Sequence, residues 1–508
     1  MSHGLAWSKA LKSAWVFPTA IVWKLGLIGA ARLPPPANDA YFFDGAVINW
    51  LLHGAYVNPS IGRMFPTSAT EFFSAYPPGY QAALAAWMSV FGPTVEASLW
   101  LHGVLFSIHA LLVLAILVRA GASPLAMNLG GCFLFALTFH DRPDSVAHVL
   151  GVLAFWWWTT PDTARAAGRR ALATVAIVSA LATSLHIGAM YSAMLWGYAA
   201  LRARSTGWPW RSMTAMAVVP IALATLVVVK FPTAWQGFQE NLLVTPSFTG
   251  LRLPAMDEIL KVVRNTPGLL VVTGFLLVAA VRRQSLFRAD APPAAVLVFV
   301  PLLAAADFAV FANLCIVHPN YVLVATYPQI AVVALWVWLR PPLPETSGGF
   351  FRFVRQAALP MAALLVSFRA LALTTWGVAC AADVSKPAAV AEVRRVIDAL
   401  PQGVDVLVSS AYLYDLADVQ RVNKIHSDWI GRYGEGVGAA YPRCFVLTPF
   451  DYYRRYRGEL AALAARGHVK IVAVEQSRRW PVPDEFPRFQ RVVQHLSWAP
   501  VIVRVEWR

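Results

Sequence analysis

Residues 38–56 read Asn38-Asp39-Ala40-Tyr41-Phe42-Phe43-Asp44-Gly45-Ala46-Val47-Ile48-Asn49-Trp50-Leu51-Leu52-His53-Gly54-Ala55-Tyr56. Tyr76-Pro77-Pro78-Gly79-Tyr80 follows, opening an apolar run that ends Phe91-Gly92. Before this stretch lies an apolar segment at 14–33, closed by Pro34-Pro35-Pro36. An acidic turn and a proline-anchored aromatic cluster therefore stand at the mouth of a first membrane-length segment. The spacing of Tyr41 to His53 predicts an amphipathic helix lying in the membrane interface, with Asp39 at its N-terminal end. The run from Gly79 to Phe91 is too short to cross a bilayer and reads as an interfacial or re-entrant helix.

Working outward, hydrophobic residues make up 58% of the 508 and charged residues 14%, which is too apolar for a soluble chain of this length. Bilayer-length apolar runs recur at 14–33, 96–118, 124–140, 144–160, 213–230, 267–281, 292–312, 320–339 and 356–380. The run 171–201 is too long for one span and carries Ser184-Leu185-His186-Ile187-Gly188 at its middle, which predicts two short helices meeting at a turn. The expectation is an all-α polytopic membrane domain of about eleven transmembrane helices over 1–382, including an outer loop at 34–95. Composition changes near Asp383. From there to 508 the chain predicts a small extracytoplasmic α/β domain, with a helix at 388–400, strands at 404–408 and 444–447, a helix at 452–465 and strands at 469–474 and 501–505. The order from Cys444 to Val474 reads as a βαβ unit. It holds no phosphate-binding glycine loop and no nucleophile elbow, so catalysis is assigned to the membrane half.

The net charge of +15 is spread over alternate loops rather than gathered on one polar face, which argues against nucleic acid as a partner. Lys9, Lys12, Arg119, Arg165, Arg169, Arg170, Arg202, Arg204, Arg211, Arg282, Arg283, Arg288, Arg340, Arg352 and Arg355 fall on one side of the span count. The positive-inside rule then puts the N-terminus in the cytoplasm of an inner-membrane, multi-pass protein and the C-terminal domain outside. The first segment can alternatively be read as a signal peptide with Lys9 and Lys12 as its basic region. Cys380 and Cys444 both fall on the outer side, where they can pair or remain reduced.

Two readings of Asp39 stand. It can cap the helix that follows, or act as a general base, because a sugar or lipid hydroxyl is a poor nucleophile until a carboxylate removes its proton. Asp144, behind Arg142-Pro143, is either an ordinary acidic helix start or a second catalytic carboxylate. Asp44 shares the first outer loop with Asp39. Arg63 and Arg142 are outer cations of the kind that holds a departing phosphate. Tyr76 and Tyr80 would line a pocket beside them, and His186, His318 and Tyr321 mark the outer rim. No tight metal-ligand spacing occurs among the eleven histidines, so neither a metal nor another cofactor is expected. Lys24, Asp307 and Arg369 fall inside spans; such charges favour an alternative reading as a secondary transporter or lipid flippase. A scaffold displaying the outer domain is a third reading.

This arrangement resembles the GT-C superfamily of integral-membrane glycosyltransferases, in particular the branch holding the aminoarabinose transferases of lipid A and the protein O-mannosyltransferases. Asp39 matches the family's first-loop Asp, with Ala40 where Glu is usual. Pro77-Pro78-Gly79-Tyr80 and Phe91-Gly92 match its later Pro-Pro-aromatic and Phe-Gly segment. Asp144 matches its second acidic position, and His318-Pro319-Asn320-Tyr321 with Pro328 is similar to its Arg-Tyr and Pro span, with Asn320 where Arg is common. The resemblance implies a polyprenyl-phosphate sugar donor drawn from the membrane and an inverting hexosyl or pentosyl transfer. It also implies a lipid, glycan or protein hydroxyl acceptor outside the cytoplasmic membrane.

Overall fold

The computed structural model describes residues 13–33, 35–36, 40–62, 65–119, 123–136, 143–159, 166–206, 209–244, 256, 357, 359–427, 441–476 and 497–507. The spans expected at 267–281, 292–312 and 320–339 lie outside these residues, as does Asp307, and so does the side chain of Arg369.

Helix α1 runs Val16–Ala31, with Pro18 in its first turn, where no intrahelical donor is lost. Its N-terminus is closed by Asn128, whose Oδ1 accepts from Val16 N at 3.2 Å while its Nδ2 donates to Ser13 O at 2.7 Å. The stretch 34–95 holds α2 (Ala40–His53), the short α3 (Pro66–Thr70) and α4 (Gly79–Phe91), the last starting directly after Pro77-Pro78. Next come α5 (Val95–Arg119), α6 (Pro124–Cys132), α7 (Asp144–Trp158), α8 (Ala166–Thr183), α9 (Leu185–Thr206), α10 (Trp210–Lys230) and α11 (Pro232–Val244). After the undescribed stretch follow α12 (Leu359–Asp383) and α13 (Lys386–Asp398). Among the described residues two helices, α5 and α10, are long and apolar enough to cross a membrane, and α1 is a shorter apolar helix. Ile221, Leu226 and Val229 on α10 and Leu364, Leu365 and Phe368 on α12 are exposed, as residues facing lipid would be.

Three expectations need correction. The span at 124–140 is instead a nine-residue helix followed by a 3-10 turn at Phe133–Ala136. At 1.5 Å per residue that helix covers about 14 Å, half a bilayer core, and it ends just after the helix-weakening pair Gly130-Gly131. The run 171–201 does break at Ser184, but its helices have 18 and 22 residues, because Ala- and Arg-rich ends extend both beyond the apolar stretch. The break is a one-residue kink: Ser184 N donates to Ala180 O and Gly188 N to Ser184 O, both at 2.8 Å. Finally, α2 is more buried than an amphipathic helix with one free face would be, although Trp50 and Leu52 near its C-terminal end are exposed. Its first two turns, Tyr41, Phe43, Asp44, Ala46, Val47 and Ile48 among them, are buried on all sides.

The C-terminal segment is α/β, as expected. Strands β1 (Asp405–Val408), β2 (Asn423–His426), β3 (Cys444–Leu447), β4 (Val469–Gln476) and β5 (Val501–Trp507) form one sheet in the order β2-β1-β3-β5-β4. A four-residue helix, α14 (Ser410–Leu413), and a 3-10 turn (Tyr414–Leu416) follow β1, and α15 (Arg457–Ala465) closes the helical run after β3. β1 pairs parallel with both β2 and β3, whereas β5 is antiparallel to β3 and β4. The βαβ reading of Cys444 to Val474 therefore holds in direction, with β5 inserted between its two strands. Strand β2, with the polar sequence Asn-Lys-Ile-His, carries no strand signal of its own. Cys380 and Cys444 are both buried and not bridged.

Packing groups the described chain into two units: 1–23, 104–226 and 245–370 in the first, and 24–103, 227–244 and 371–508 in the second. The C-terminal segment thus shares a unit with the stretch 34–95 and α11. In the first unit, Val113, Leu114 and Leu117 of α5 share a core with Ile177 and Ala180 of α8 and Ile187, Met190 and Met194 of α9. Gly151 of α7 makes this packing possible, since a Cβ there would lie 2.2 Å from Cδ2 of Tyr191. Gly151→Ala should therefore destabilise the unit by about 1–3 kcal/mol, read as a lower melting midpoint of the detergent-solubilised protein by size-exclusion after heating.

Candidate active site

In the second unit the site is built around α2. Gly45 leaves room for the side chain of Asn58, whose Nδ2 donates to the carbonyls of Tyr41 (3.0 Å) and Phe42 (3.2 Å) and whose Oδ1 accepts from Ser60 Oγ at 2.7 Å. A Cβ at Gly45 would sit 2.5 Å from Asn58 Nδ2. Phe42 lies edge-on to Phe65 and Phe73, and Phe43 edge-on to Tyr76 at 4.8 Å. Tyr76 is thus a half-buried wall of the loop.

Asp44 is 0% exposed. Its Oδ1 accepts from Tyr80 Oη at 2.7 Å, and its Oδ2 from Ser98 Oγ at 2.6 Å and Tyr414 Oη at 2.7 Å. Burial pushes its carboxyl up to about 6, against the opposing pull of the bonds from Ser98, Tyr80 and Tyr414. Tyr80 is itself fully buried, with its hydroxyl 3.1 Å from His102 Nε2 as well. Both Asp44 and Tyr80, expected against substrate, here engage each other. Burial, with the Asp44 charge beside it, raises the Tyr41 phenol far above its usual range.

A second set of contacts lies one turn away. Lys386, 6% exposed, places Nζ 2.9 Å from Glu96 Oε1 and 3.0 Å from Asp415 Oδ1. Arg32 Nε reaches the same Glu96 oxygen at 3.1 Å, and Trp498 Nε1 donates to Arg32 O at 3.2 Å.

In the first unit, Asp144 is 2% exposed at the start of α7 and its Oδ1 accepts from Ser184 Oγ at 2.8 Å, at the kink between α8 and α9. One turn on, His148 Nδ1 lies 3.2 Å from Tyr191 Oη, and the His148 ring is edge-on to His109 of α5 at 6.4 Å. The turn at Ser184 was readable from sequence. His109 and Tyr191 were not singled out, although a histidine inside an apolar 25-residue helix is a signal for an inward-facing polar group. Asp39, Arg63, Arg142, His318 and Tyr321 lie outside the described residues, and so does the side chain of His186. Lys24 is buried on α1. Among the described residues no group of three or more His, Cys, Asp or Glu is placed to hold a metal ion.

No family model matches the chain, and no curated protein matches it in sequence. Solved structures do. The chain is similar to ArnT from Cupriavidus metallidurans bound to undecaprenyl phosphate, at 14% identity over 98% of this chain and 97% of that one, with a TM-score of 0.50. It is also similar to the archaeal oligosaccharyltransferase AglB from Archaeoglobus fulgidus in complex with an inhibitory peptide and a dolichol-phosphate, at 12% identity over 91% and 72% of the two chains, with a TM-score of 0.53. A third likeness, to the Archaeoglobus fulgidus oligosaccharyltransferase in complex with Zn and sulfate, has 12% identity and a TM-score of 0.50 over 89% of this chain and 70% of that one. These neighbours are GT-C glycosyltransferases, and the chain has the GT-C fold.

The Asp44 network carries a pH signature. Its carboxyl titrates near 6 in the folded chain and near 3.8 in the unfolded one. The folded state therefore holds the extra proton between these values. The contribution is fully present below about pH 4 and is lost as pH rises through 6, amounting to roughly 3 kcal/mol. The melting midpoint of the parent relative to Asp44→Asn should fall from pH 4 to pH 7; a difference that stays flat over that range would contradict the assignment.

Proposed function

We propose that this chain is an integral-membrane glycosyltransferase that moves a sugar from a polyprenyl-phosphate carrier to a hydroxyl acceptor on the extracytoplasmic side. The observation that carries this reading is the fold likeness over nearly the whole length of both chains to ArnT, whose structure holds undecaprenyl phosphate. The dolichol-phosphate bound to AglB supports the same donor class.

In this reading the acceptor oxygen attacks the anomeric carbon, the bond from that carbon to the phosphate oxygen breaks, and the carrier leaves with the electron pair as a phosphate. The acceptor proton passes to Asp39, the general base, and the configuration inverts. Asp144 orients the acceptor, and Arg63 or Arg142 stabilises the negative charge gathering on the phosphate. Tyr76 lines the approach. Burial supports the role of Asp144, because a carboxylate that is costly to desolvate is held there by Ser184 rather than exposed to water. The N-terminus is assigned to the cytoplasm and the C-terminal α/β segment to the outer side. The sugar is a hexose or pentose and the acceptor a lipid, glycan or protein.

Membranes carrying the protein, supplied with radiolabelled undecaprenyl-phosphate-linked glucose, mannose or arabinose, should transfer label to an endogenous acceptor. Asp39→Asn at unchanged protein level should lower that transfer by about 10²-fold or more, the scale of a general base. Full transfer by this variant would remove Asp39 from the role.

A further inference from the structure

The segment Ser409–Leu416, between β1 and β2, sits at the carboxyl ends of three mutually parallel strands, where open α/β sheets ordinarily receive a ligand. Here that edge receives the first outer loop. Tyr41 N, a donor in the first turn of α2 with no intrahelical acceptor, donates to Ser410 Oγ at 3.3 Å. Ser410 Oγ lies 2.8 Å from His426 Nε2 at the end of β2. The neighbouring Ser409 donates to Asp451 Oδ2 and accepts from Thr448 N at 3.0 Å, which fixes the turn after β1. Four residues on, Tyr414 packs edge-on to Tyr41 at 5.1 Å and donates to Asp44. Asp415 reaches Lys386, which also holds Glu96. From behind, Lys424 Nζ donates to the carbonyl of Leu416 at 2.7 Å. A single short segment thus supplies an external cap to the first turn of α2, a ring packed against it and a hydrogen bond to its buried carboxylate.

We propose that Ser410 and Tyr414 are positioning residues for transfer: the C-terminal domain sets the N-terminus of α2, and with it the residue joined directly to Ala40, without touching substrate. This rests on the transferase reading above. It gives the C-terminal segment, which carries no catalytic motif, a part in the chemistry. A misplacement of about 1 Å at a base can cost on the order of 10²-fold in rate, so the lock acts on turnover and leaves donor binding alone.

The test uses the full-length protein in nanodiscs, with parent, Ser410→Ala, Ser410→Thr and Tyr414→Phe. Amide hydrogen exchange over residues 40–48 is read by mass spectrometry without any substrate. Transfer is then measured with undecaprenyl-phosphate-linked glucose, mannose and arabinose. Ser410→Ala and Tyr414→Phe should speed exchange in 40–48, lower kcat by about tenfold or more and leave the donor KM within about twofold, with Ser410→Thr restoring both readouts. Unchanged exchange would overturn the lock itself. Faster exchange with an unchanged kcat, or a loss expressed in KM alone, would overturn the positioning role while leaving the docking contact in place. Absence of turnover in the parent with all three donors would reject the transferase reading, and the positioning role with it, while exchange would still decide the docking contact.

Discussion

One buried carboxylate organises the unit that holds α2 and the C-terminal segment. Asp44 is fully buried, and a desolvated carboxylate without partners would drive its helix back to the surface. Three hydroxyls, from α4, the first turn of α5 and the C-terminal segment, converge on its two oxygens. Each is a neutral donor, and among the described residues none of its hydrogen-bond partners carries a charge. The network remains a soft one, in which burial outweighs the three bonds and the group titrates near 6. Gly45, the next residue, admits Asn58 to the same helix from the other side. These polar contacts thus add to the apolar packing of Phe42, Phe43 and Ala46 in holding α2 where it is.

The Lys386 cluster acts beside it with different physics. Its ammonium lies between Glu96 and Asp415, with the Trp498 ring 5.8 Å away. The two carboxylates are partly exposed and share one buried cation. Removing that cation would leave two like charges facing each other, so the pair resists exchange by smaller or neutral residues. Asp44 tolerates titration, while Lys386 works only as a cation. The same two stretches of chain are thus joined both by a buried carboxylate held by hydroxyls and by a buried lysine held between two carboxylates.

What could be read from the sequence followed local rules. Proline and glycine placed the starts of α4, α6 and α7, the run through Ser184 announced its kink, and the apolar Cys-Phe-Val-Leu stretch declared β3 to the residue. The resemblance to the GT-C superfamily, resting on Asp39, Pro77-Pro78 and Asp144, agrees with the fold. Hidden from a linear reading were contacts whose partners are far apart in the chain. Nothing around Tyr414 marks it as the partner of residue 44, since a tyrosine in a short apolar helix reads as core. The burial of α2 was missed partly for the same reason: besides Asn58, Phe65, Phe73 and Tyr76 from its own loop, Ser410 and Tyr414 from far along the chain cover it. Strand β2 escaped notice because its register is imposed by β1 and not by its own composition.

The separation of those partners bears on how the protein is made. Asp44 and Tyr414 stand 370 residues apart. At ordinary ribosomal speeds, about 5–20 residues per second, roughly 20 to 70 s pass between the synthesis of the acid and that of its last donor. Late in that interval, with α11 already made, the loop still lacks one hydroxyl and the cap on its helix. A nascent chain that stalls or is cut before residue 410 leaves a loop whose carboxylate has lost one of its three hydroxyl donors. Quality control that recognises such an unfinished loop would discard truncated copies before they reach their working state.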